Sequence, residues 1–507
     1  MAEAPSGRTN REGAGARAPI ELLRTGVPGL DAVLGGGLPE LSFNLIAGGP
    51  GSGKTTMAMQ ILFANSTAER PGLFLTLMGE TTLKLLRYQQ GFEFFDTSRV
   101  GRDVHFINLS EDVLGGDLER VMARIVEEVG RLGPGIVVID SFRALVRPHL
   151  EGEGAGADLE RFVQRLALHL TTWEITSFLV GEYMEQELRN PIFTVADGIF
   201  WLFQAVDRNS VVRKLQMLKM RGTAGMPGLH TMRMTGLGVQ VFPRILERPE
   251  EKRKKEDRRL TTGVADLDDM MGGGVPAGDA VVLAGPTGSG KTTFASQFIA
   301  AGLREGEAGV IAVFEEHPEE YLERAKTLGV DFRAAIAAGK LSVIYLRPLD
   351  LSVDETLEEI RDAVRRTGAE RVVIDSISGF EMALAPTFRE DFRESLYRLV
   401  GALTGLGVTI VLTIEVVDAG EGFLFTKYNV SFLTDAIIVQ RFVEIDGRIQ
   451  KVLAVVKMRG SSHSHEFRAF EITASGVQLG EPLHGYTGIS TGHPVRIGTG
   501  PPAGPAP

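Results

Sequence analysis

One glycine-rich pattern occurs twice in the chain, as "GGPGSGKTT" at residues 48–56 and as "GPTGSGKTT" at residues 285–293. Both copies fit Gly-x-x-x-x-Gly-Lys-Thr, in which backbone N–H groups surround phosphates and the lysine reaches the β- and γ-phosphates. The hydroxyl of the next threonine is a ligand for Mg²⁺. Each copy stands between a short apolar run and a helical pattern, which is the context that the motif requires. These residues predict two sites for ATP with Mg²⁺.

An aspartate closes an apolar run in each copy, because "GIVVID" ends on Asp140 and "RVVID" ends on Asp375. A carboxylate there can hold the hydration shell of a metal ion, although it can also be only a helix cap or a turn residue. Its recurrence in both copies favours the metal role. The predicted phosphate-binding residues are Gly49, Gly51, Ser52, Gly53, Lys54, Thr55, Thr56, Thr287, Gly288, Ser289, Gly290, Lys291, Thr292 and Thr293, and the predicted metal ligands are Thr55, Asp140, Thr292 and Asp375.

Glutamates that could orient or deprotonate an attacking oxygen follow another predicted strand. In the second copy, "GVIAVFEEHP" places Glu315 and Glu316 at the expected sheet edge beside the γ-phosphate. The first copy reads "GLFLTLMGETT" and offers only Glu80. For both segments, the alternative is that the glutamates are only solvated residues at the start of a helix. The difference between the copies predicts that the two sites need not work alike.

A lysine and an arginine two residues apart recur late in each copy. Lys219 and Arg221 lie in one predicted strand, and Lys457 and Arg459 lie in the other. Side chains two apart on a strand share a face, so each pair projects two cations together. An isolated pair would more often serve surface solvation. Recurrence beside a nucleotide site favours a cationic finger, which can accelerate phosphoryl transfer by about 10³ to 10⁵ and would require a ring if it reaches a neighbour's ATP.

The whole arrangement is repeated. "TGVPGLDAVLGGGLPELSFNLIAGGPGSGKTT" from Thr25 aligns without a gap with "TGVADLDDMMGGGVPAGDAVVLAGPTGSGKTT" from Thr262. Further along, "GIVVIDS" corresponds to "RVVIDS" and "LKMRGT" corresponds to "VKMRGS". These aligned segments occur in the same order in both copies, which indicates a tandem duplication.

Strands alternate with helices in each copy. "FNLIAG" and "AVVLAG" predict buried parallel strands, "MAMQILFA" and "FASQFIAAGL" predict helices, and "RKLQMLKM" and "QKVLAVVKM" predict strands nearer an edge. This alternation predicts an α/β fold with a largely parallel sheet in each copy. The predicted parts are a disordered arm at 1–17, a first domain at 18–245, a charged linker at 246–260, a second domain at 261–480, and a C-terminal loop and tail at 481–507. The charged run could otherwise be a patch for nucleic acid or a partner.

Composition disfavours several classes of protein. The chain carries a formal net charge of −11, which argues against a protein that binds nucleic acid mainly through its phosphates. Cysteine is absent, which excludes disulfides and thiolate metal sites. No apolar run could span a bilayer, and the N-terminus lacks the apolar segment of a secretory signal. We therefore expect a cytoplasmic protein.

The duplicated loops, the "KMRG" segments, "VADGIFWLFQ" and "FLTDAIIVQRFVE" resemble the KaiC family of bacterial circadian clock ATPases and autokinases over residues 18–497. The resemblance implies two tandem RecA-like P-loop domains and a double-ring homo-hexamer with ATP at subunit interfaces. It also implies slow hydrolysis chiefly in the first ring, autophosphorylation and dephosphorylation in the second, and a KaiB-like or other signalling partner.

Several roles follow from that resemblance. Glu315 and Glu316 match the family's paired glutamates in the kinase ring, with Glu315 as the base. In "NVSFLTDA", Ser431 matches the acceptor serine, whereas Phe432 stands where the family has an acceptor threonine. The resemblance thus leaves Ser431 as the predicted phosphoacceptor, with Thr426 as a further candidate. The alternative for Ser431 is a strand-end serine bonded to backbone.

The first ring departs from the family pattern, since Met78 and Gly79 replace part of the expected glutamate pair and Glu80 would serve only after a one-residue shift. The segment "YTGISTGHPVRI" from Tyr486 resembles the family's C-terminal loop, whose exposure controls kinase activity. Two other hypotheses share the nucleotide core. One is a RecA- or DnaB-like motor that DNA stimulates, and the other is a scaffold that uses ATP only to assemble a ring.

Overall fold

The structure is a computed structural model. It describes residues 20–77, 82–114, 117–146, 155–183, 191–207, 210–244, 258–327, 329–346, 352–384, 392–416 and 434–497. The chain divides into two compact units, each built on one nine-stranded sheet. The predicted arm, residues 246–257 of the predicted linker and the tail from residue 498 lie outside the described residues. Within the described ranges, no helix has the length and apolar character needed to cross a membrane.

The first unit alternates strands and helices through most of its length. Its strands are β1 Leu22–Leu23, β2 Leu38–Pro39, β3 Phe43–Gly48, β4 Gly72–Thr76, β5 Val104–Asn108, β6 Ile136–Asp140, β7 Thr176–Glu182, β8 Gly198–Asp207, β9 Ser210–Met220, β10 Leu229–Thr235 and β11 Gly238–Phe242. Its helices are α1 Leu30–Val33, α2 Lys54–Asn65, α3 Thr82–Gln89, α4 Ser110–Leu114, α5 Leu118–Leu132, α6 Arg143–Val146, α7 Ala155–Thr172 and α8 Pro191–Val195.

The second unit repeats the order of the strands and adds a C-terminal hairpin. Its strands are β12 Arg259–Leu260, β13 Val275–Pro276, β14 Ala280–Gly285, β15 Gly309–Val313, β16 Leu341–Tyr345, β17 Arg371–Asp375, β18 Thr409–Glu415, β19 Ala436–Ile445, β20 Arg448–Met458, β21 Arg468–Thr473, β22 Gly476–Pro482, β23 Tyr486–Thr487 and β24 Val495–Arg496. Its helices are α9 Ala265–Met270, α10 Lys291–Arg304, α11 Pro318–Thr327, α12 Arg333–Ala337, α13 Val353–Thr367, α14 Ile377–Ala383 and α15 Phe392–Gly405.

The two large sheets have the same topology. The strand order is β5-β4-β6-β7-β3-β8-β9-β10-β11 in the first unit and β16-β15-β17-β18-β14-β19-β20-β21-β22 in the second. The strands from β5 to β8, and from β16 to β19, pair in parallel, and the last strands of each sheet pair antiparallel. The predicted α/β fold with largely parallel sheets is therefore confirmed. The strands "RKLQMLKM" and "QKVLAVVKM" are β9 and β20, and two more strands lie beyond each of them.

Helices cover both faces of the parallel part of each sheet, which explains why its strands are apolar on both faces. In β6, Val137 packs in the core on the α5 and α7 side, whereas Val138 packs in the core that contains α2. Because alternate strand residues share a face, Asp140 lies on the α2 side with Val138. The same alternation places Glu182 on the α2 side with Val180. The carboxylates that end β6 and β7 therefore lie on the α2 face of the first sheet, at the end of the strands where the phosphate-binding loop begins.

Local signals set the ends of the helices that pack on the opposite face. The Asp117 carboxylate accepts hydrogen bonds from the first N–H groups of α5, and the Ser352 hydroxyl does the same for α13. Both helices end at a glycine with a positive φ, Gly133 at 57° and Gly368 at 66°. The matched caps show that the duplication extends to details of the helix termini.

Candidate active site

The first glycine-rich loop leaves β3 after Gly48 and enters α2 at Lys54. Gly48 has a φ of 146°, and a Cβ there would lie 2.1 Å from the carbonyl oxygen of Leu202, so only glycine fits. Ser52 donates from Oγ to the carbonyl oxygen of Gly49 at 2.8 Å. The residue before α2 is a glycine without a side chain to cap the helix, which leaves the first N–H groups to an anion.

Both loop lysines donate to carbonyl oxygens of their own loops. Lys54 Nζ donates to Gly49 at 2.7 Å, and Lys291 Nζ donates to Gly285 and Pro286 at 2.9 Å each. Burial lowers the pKa of both lysines because it disfavours the charged ammonium. Phosphate oxygens would give each ammonium group charged acceptors in place of these neutral ones.

Two strand-end glutamates that the sequence analysis missed lie beside these lysines. Glu182 ends β7 in register with Gly48, and Glu415 ends β18 in register with Gly285. Burial has the largest effect on the pKa of Lys54 and lowers it. Among the neighbouring carboxylates, Glu182 raises this pKa most. Glu415 has the same effect on Lys291. The available signal was a glutamate that closes an apolar run in both copies, "TSFLVGE" and "TIVLTIE".

The proposed metal ligands meet in the first unit, where Thr55 Oγ1 donates to Asp140 Oδ2 at 2.6 Å. The second unit is arranged differently. Asp375 Oδ1 accepts a hydrogen bond of 2.5 Å from Thr413 Oγ1, and Asp375 Oδ2 is buried without a hydrogen-bond partner among the described residues. Thr292 has the same place in α10 as Thr55 has in α2, at the second residue of the helix.

These residues fit a magnesium ion that arrives with a nucleotide. Mg²⁺ usually keeps several waters and takes one or two protein carboxylates together with substrate phosphates. The buried oxygen of Asp375 is an acceptor of that kind. Across the described ranges, no group of three His, Asp or Glu side chains could hold a metal by itself. Thr55 and Asp140 would hold the ion in the first unit, and Thr292 and Asp375 in the second.

The structure separates the two glutamates that follow β15. Ser376, the residue after Asp375 at the end of β17, donates from Oγ to the carboxylate of Glu315. Glu315 is also near enough to Lys291 to raise the pKa of that lysine. Glu316 pairs instead with Arg324 of α11, and burial raises its pKa although the arginine opposes the shift. Glu315 is therefore the member of the pair that faces the phosphate loop.

The first unit has no glutamate at the position of Glu315. That residue stands two places after the end of β15, and Met78 stands two places after the end of the equivalent strand β4. Residues 78–81, which include the predicted Glu80, lie outside the described residues. A catalytic role for Glu80 stays a prediction.

The cationic pair of the first unit lies far from its own phosphate loop. Lys219 Nζ donates to the carbonyl oxygen of Thr194 at 3.0 Å, and Arg221 forms a 3.1 Å ion pair with Asp197. The other oxygen of Asp197 accepts from the N–H of Phe43, the first residue of β3, at 3.1 Å. The glycine-rich loop follows the last residue of β3, so the length of that strand, about 16 Å at 3.3 Å per residue, separates the pair from the loop.

The second unit repeats this placement. Lys457 Nζ donates to the carbonyl oxygen of Thr434 at 2.6 Å, and Arg459 lies 3.7 Å from Asp435. Asp435 accepts from the N–H of Ala280 at the start of β14, at 3.1 Å. Burial, helped by the neighbouring arginine, lowers the pKa of Lys219 and of Lys457. The structure thus brings neither pair to the loop of its own unit.

The family model "ATPase: KaiC" matches this chain twice, over residues 23–245 and 260–484. The chain belongs to the KaiC family. Over 487 residues it is 30% identical to "Circadian clock protein KaiC3" of Synechocystis sp., an alignment that covers 94% of this chain and 95% of the relative. It is 27% identical to "Circadian clock oscillator protein KaiC" of Rippkaea orientalis and 28% identical to that of Parathermosynechococcus lividus; each alignment covers 94% of this chain, with 92% and 89% of the relatives.

Membership in the KaiC family confirms the predicted resemblance and the tandem RecA-like fold, and it makes the chain an ATP-binding ATPase with two repeated domains. The predicted acceptor Ser431, Thr426 and Phe432 fall within residues 417–433, which lie outside the described residues. Their roles, and those of the individual catalytic residues, stay predictions.

Proposed function

We propose that this KaiC-family ATPase is a hexamer that phosphorylates and dephosphorylates itself on Ser431, and that it acts in the cytoplasm as a signalling or timing protein. One observation carries the kinase assignment. Glu315 is held by Ser376 and faces the phosphate loop of the second unit, whereas Met78 occupies the same position in the first. Among the described residues, only the second site therefore has a carboxylate at this position, which suits a base for a hydroxyl nucleophile.

The phosphorylation step uses that carboxylate. The Oγ atom of Ser431 forms a bond to the γ-phosphorus of ATP while the bond from this phosphorus to the bridging oxygen breaks. ADP leaves with the electron pair, and the proton of the hydroxyl passes to Glu315. Lys291 binds the β- and γ-phosphates, and Mg²⁺, held by Thr292 and Asp375, would neutralise their charge.

The hexamer is supported by the position of the cations. Arg221 and Arg459 have side chains that are 63% and 57% exposed, at the edge of the sheet opposite their own loops. In a ring, the exposed cations of one subunit can approach the ATP of the next, which would complete each site. Two relatives are named circadian clock oscillator proteins, which favours a timing role. The proposal includes a KaiB-like or other signalling partner, as the family resemblance implies.

Mass spectrometry after incubation with Mg-ATP tests this function. We expect phosphate on Ser431 in the wild type, none there in Ser431→Ala, and at least about 10²-fold slower phosphorylation in Glu315→Gln. Glu316→Gln is the matched control, because Glu316 pairs with Arg324 and should affect the rate far less. Hydrolysis of ATP without phosphate on the wild type would overturn the kinase assignment. Strong stimulation of hydrolysis by single-stranded DNA would instead favour a DNA motor.

A further inference from the structure

The first ATP site needs a residue to activate water, and the position used in the second site is occupied there by Met78. Two carboxylates end strands of the first sheet on the α2 side, Asp140 on β6 and Glu182 on β7. Asp140 is engaged by the hydroxyl of Thr55, as a metal ligand would be. Glu182 is then the described carboxylate at this edge without an assigned role.

We propose that Glu182 orients and deprotonates the attacking water in the first ATP site. Its backbone pairs in register with Gly48, where the phosphate loop begins, so it stands on the strand next to that loop. It shares a strand face with Val180, whose side chain packs in the α2 core. The side chain of Glu182 therefore lies on the side of the sheet where α2 presents Lys54, and it is exposed, so water can reach it.

The second unit shows why the equivalent glutamate would not act in the same way. Thr287 of the second loop donates a hydrogen bond from Oγ1 to the carboxylate of Glu415. Pro50 stands at the position of Thr287 in the first loop and has no hydroxyl to donate. The strand-end glutamate is thus tied to the loop where Glu315 is present, and it lacks that bond where Met78 replaces Glu315. In this proposal the base follows β15 in the second unit, whereas in the first unit the base ends β7.

The proposed step is hydrolysis. The oxygen of a water molecule bonds to the γ-phosphorus while the bond from phosphorus to the bridging oxygen of ADP breaks, and ADP keeps the electron pair. The proton of the water passes to Glu182 and then to the released phosphate. This inference rests on ATP turnover in the first unit and does not depend on phosphorylation of Ser431.

The test uses the full chain with Glu315→Gln, which removes the proposed base of the second site. In this background we expect Glu182→Gln to lower kcat for ATP hydrolysis by about 10²-fold or more and to leave KM within about threefold. Glu182→Asp should recover part of the activity. Glu160→Gln, an exposed glutamate of α7, is the control and should keep the activity of the background protein.

Three results would overturn the inference. An increase in KM with unchanged kcat would show that Glu182 only balances the charge of Lys54. A large loss of kcat in Glu80→Gln with no loss in Glu182→Gln would assign the role to Glu80. Absence of hydrolysis in the Glu315→Gln background would remove the turnover on which the inference rests. The phosphorylation assay on the wild type would still test the kinase activity separately.

Discussion

Thr413 donates a hydrogen bond of 2.5 Å from its hydroxyl to Oδ1 of Asp375, and this leaves Oδ2 of the same carboxylate buried without a partner among the described residues. The hydroxyl fixes the carboxylate, so the remaining oxygen is preorganised for a cation. The first unit has Val180 at the position of Thr413, and there Asp140 accepts a hydrogen bond from Thr55 instead. The carboxylates of the two proposed metal sites are therefore held by different residues.

Thr413→Val should weaken magnesium binding in the second site, because Asp375 loses the hydroxyl that orients it. Removal of such a supporting residue typically costs about 10- to 100-fold in metal affinity. We expect the Mg²⁺ concentration for half-maximal phosphorylation of Ser431 to rise by at least about tenfold. Thr404→Val, on α15 with its hydroxyl bonded to Val400, is the control. An unchanged Mg²⁺ requirement in Thr413→Val would contradict this role.

Arg221 should act on the ATP of a neighbouring subunit. In the Glu315→Gln background, we expect Arg221→Ala and Lys54→Ala each to lose most ATP hydrolysis. Mixing the two proteins and reassembling the rings should restore it at about one quarter of the first sites, since those sites combine an intact loop with an intact neighbouring arginine. A chain that carries both substitutions should give no recovery. If the mixture stays inactive, Arg221 does not act between subunits.

Removal of nucleotide should dissociate the assembly, because ATP would link the loop of one subunit to the cations of the next. We expect hexamers in Mg-ATP and protomers after nucleotide is removed, as measured by mass photometry. Lys54→Ala combined with Lys291→Ala should remain a protomer in both conditions. A wild-type protein that stays monomeric in saturating Mg-ATP would refute the ring.

Gly302→Ala should destabilise the second unit. A Cβ at this position of α10 would lie 2.3 Å from Nε of Arg371, which is 1% exposed and forms an ion pair with Glu307. Overpacking of this kind costs about 1–3 kcal/mol. The matched change Gly401→Ala on α15 meets no atom within 4 Å and should stabilise the unit by about 0.5–1 kcal/mol. Thermal unfolding of both variants measures the contrast, and equal effects would contradict it.

The sequence predicted the parts of the site that local patterns encode. The glycine-rich loops, the strands that lead into them and the aspartates that end β6 and β17 are each visible in a few consecutive residues. The repetition of these patterns in the same order was enough to predict two domains of one fold. A short motif carries this information because the loop, the strand before it and the helix after it are adjacent in the chain.

The contacts between segments that are distant in the chain could not be predicted from such local patterns. Glu182 and Glu415 belong to the site because their strands pair with the strand before each loop, and the register of that pairing follows from the folded sheet. The predicted glutamate pair separates because Ser376 binds Glu315 and Arg324 binds Glu316. The spacing predicted that Lys219 and Arg221 share a strand face, but β9 ends at Met220, so Arg221 lies just beyond the strand. Only the folded sheet shows that both cations lie at the end away from the loop.

The polarity of the parallel strands has a further consequence. Each unit carries its phosphate loop where β3 or β14 ends and its exposed arginine where the same strand begins, so the two parts of the proposed reaction centre lie at opposite ends of one fold. In the proposed ring, a lone protomer would have no complete site, and it would become active only after assembly with other copies of itself. The abundance of the protein in the cell would then set how much of it works, before any regulator intervenes.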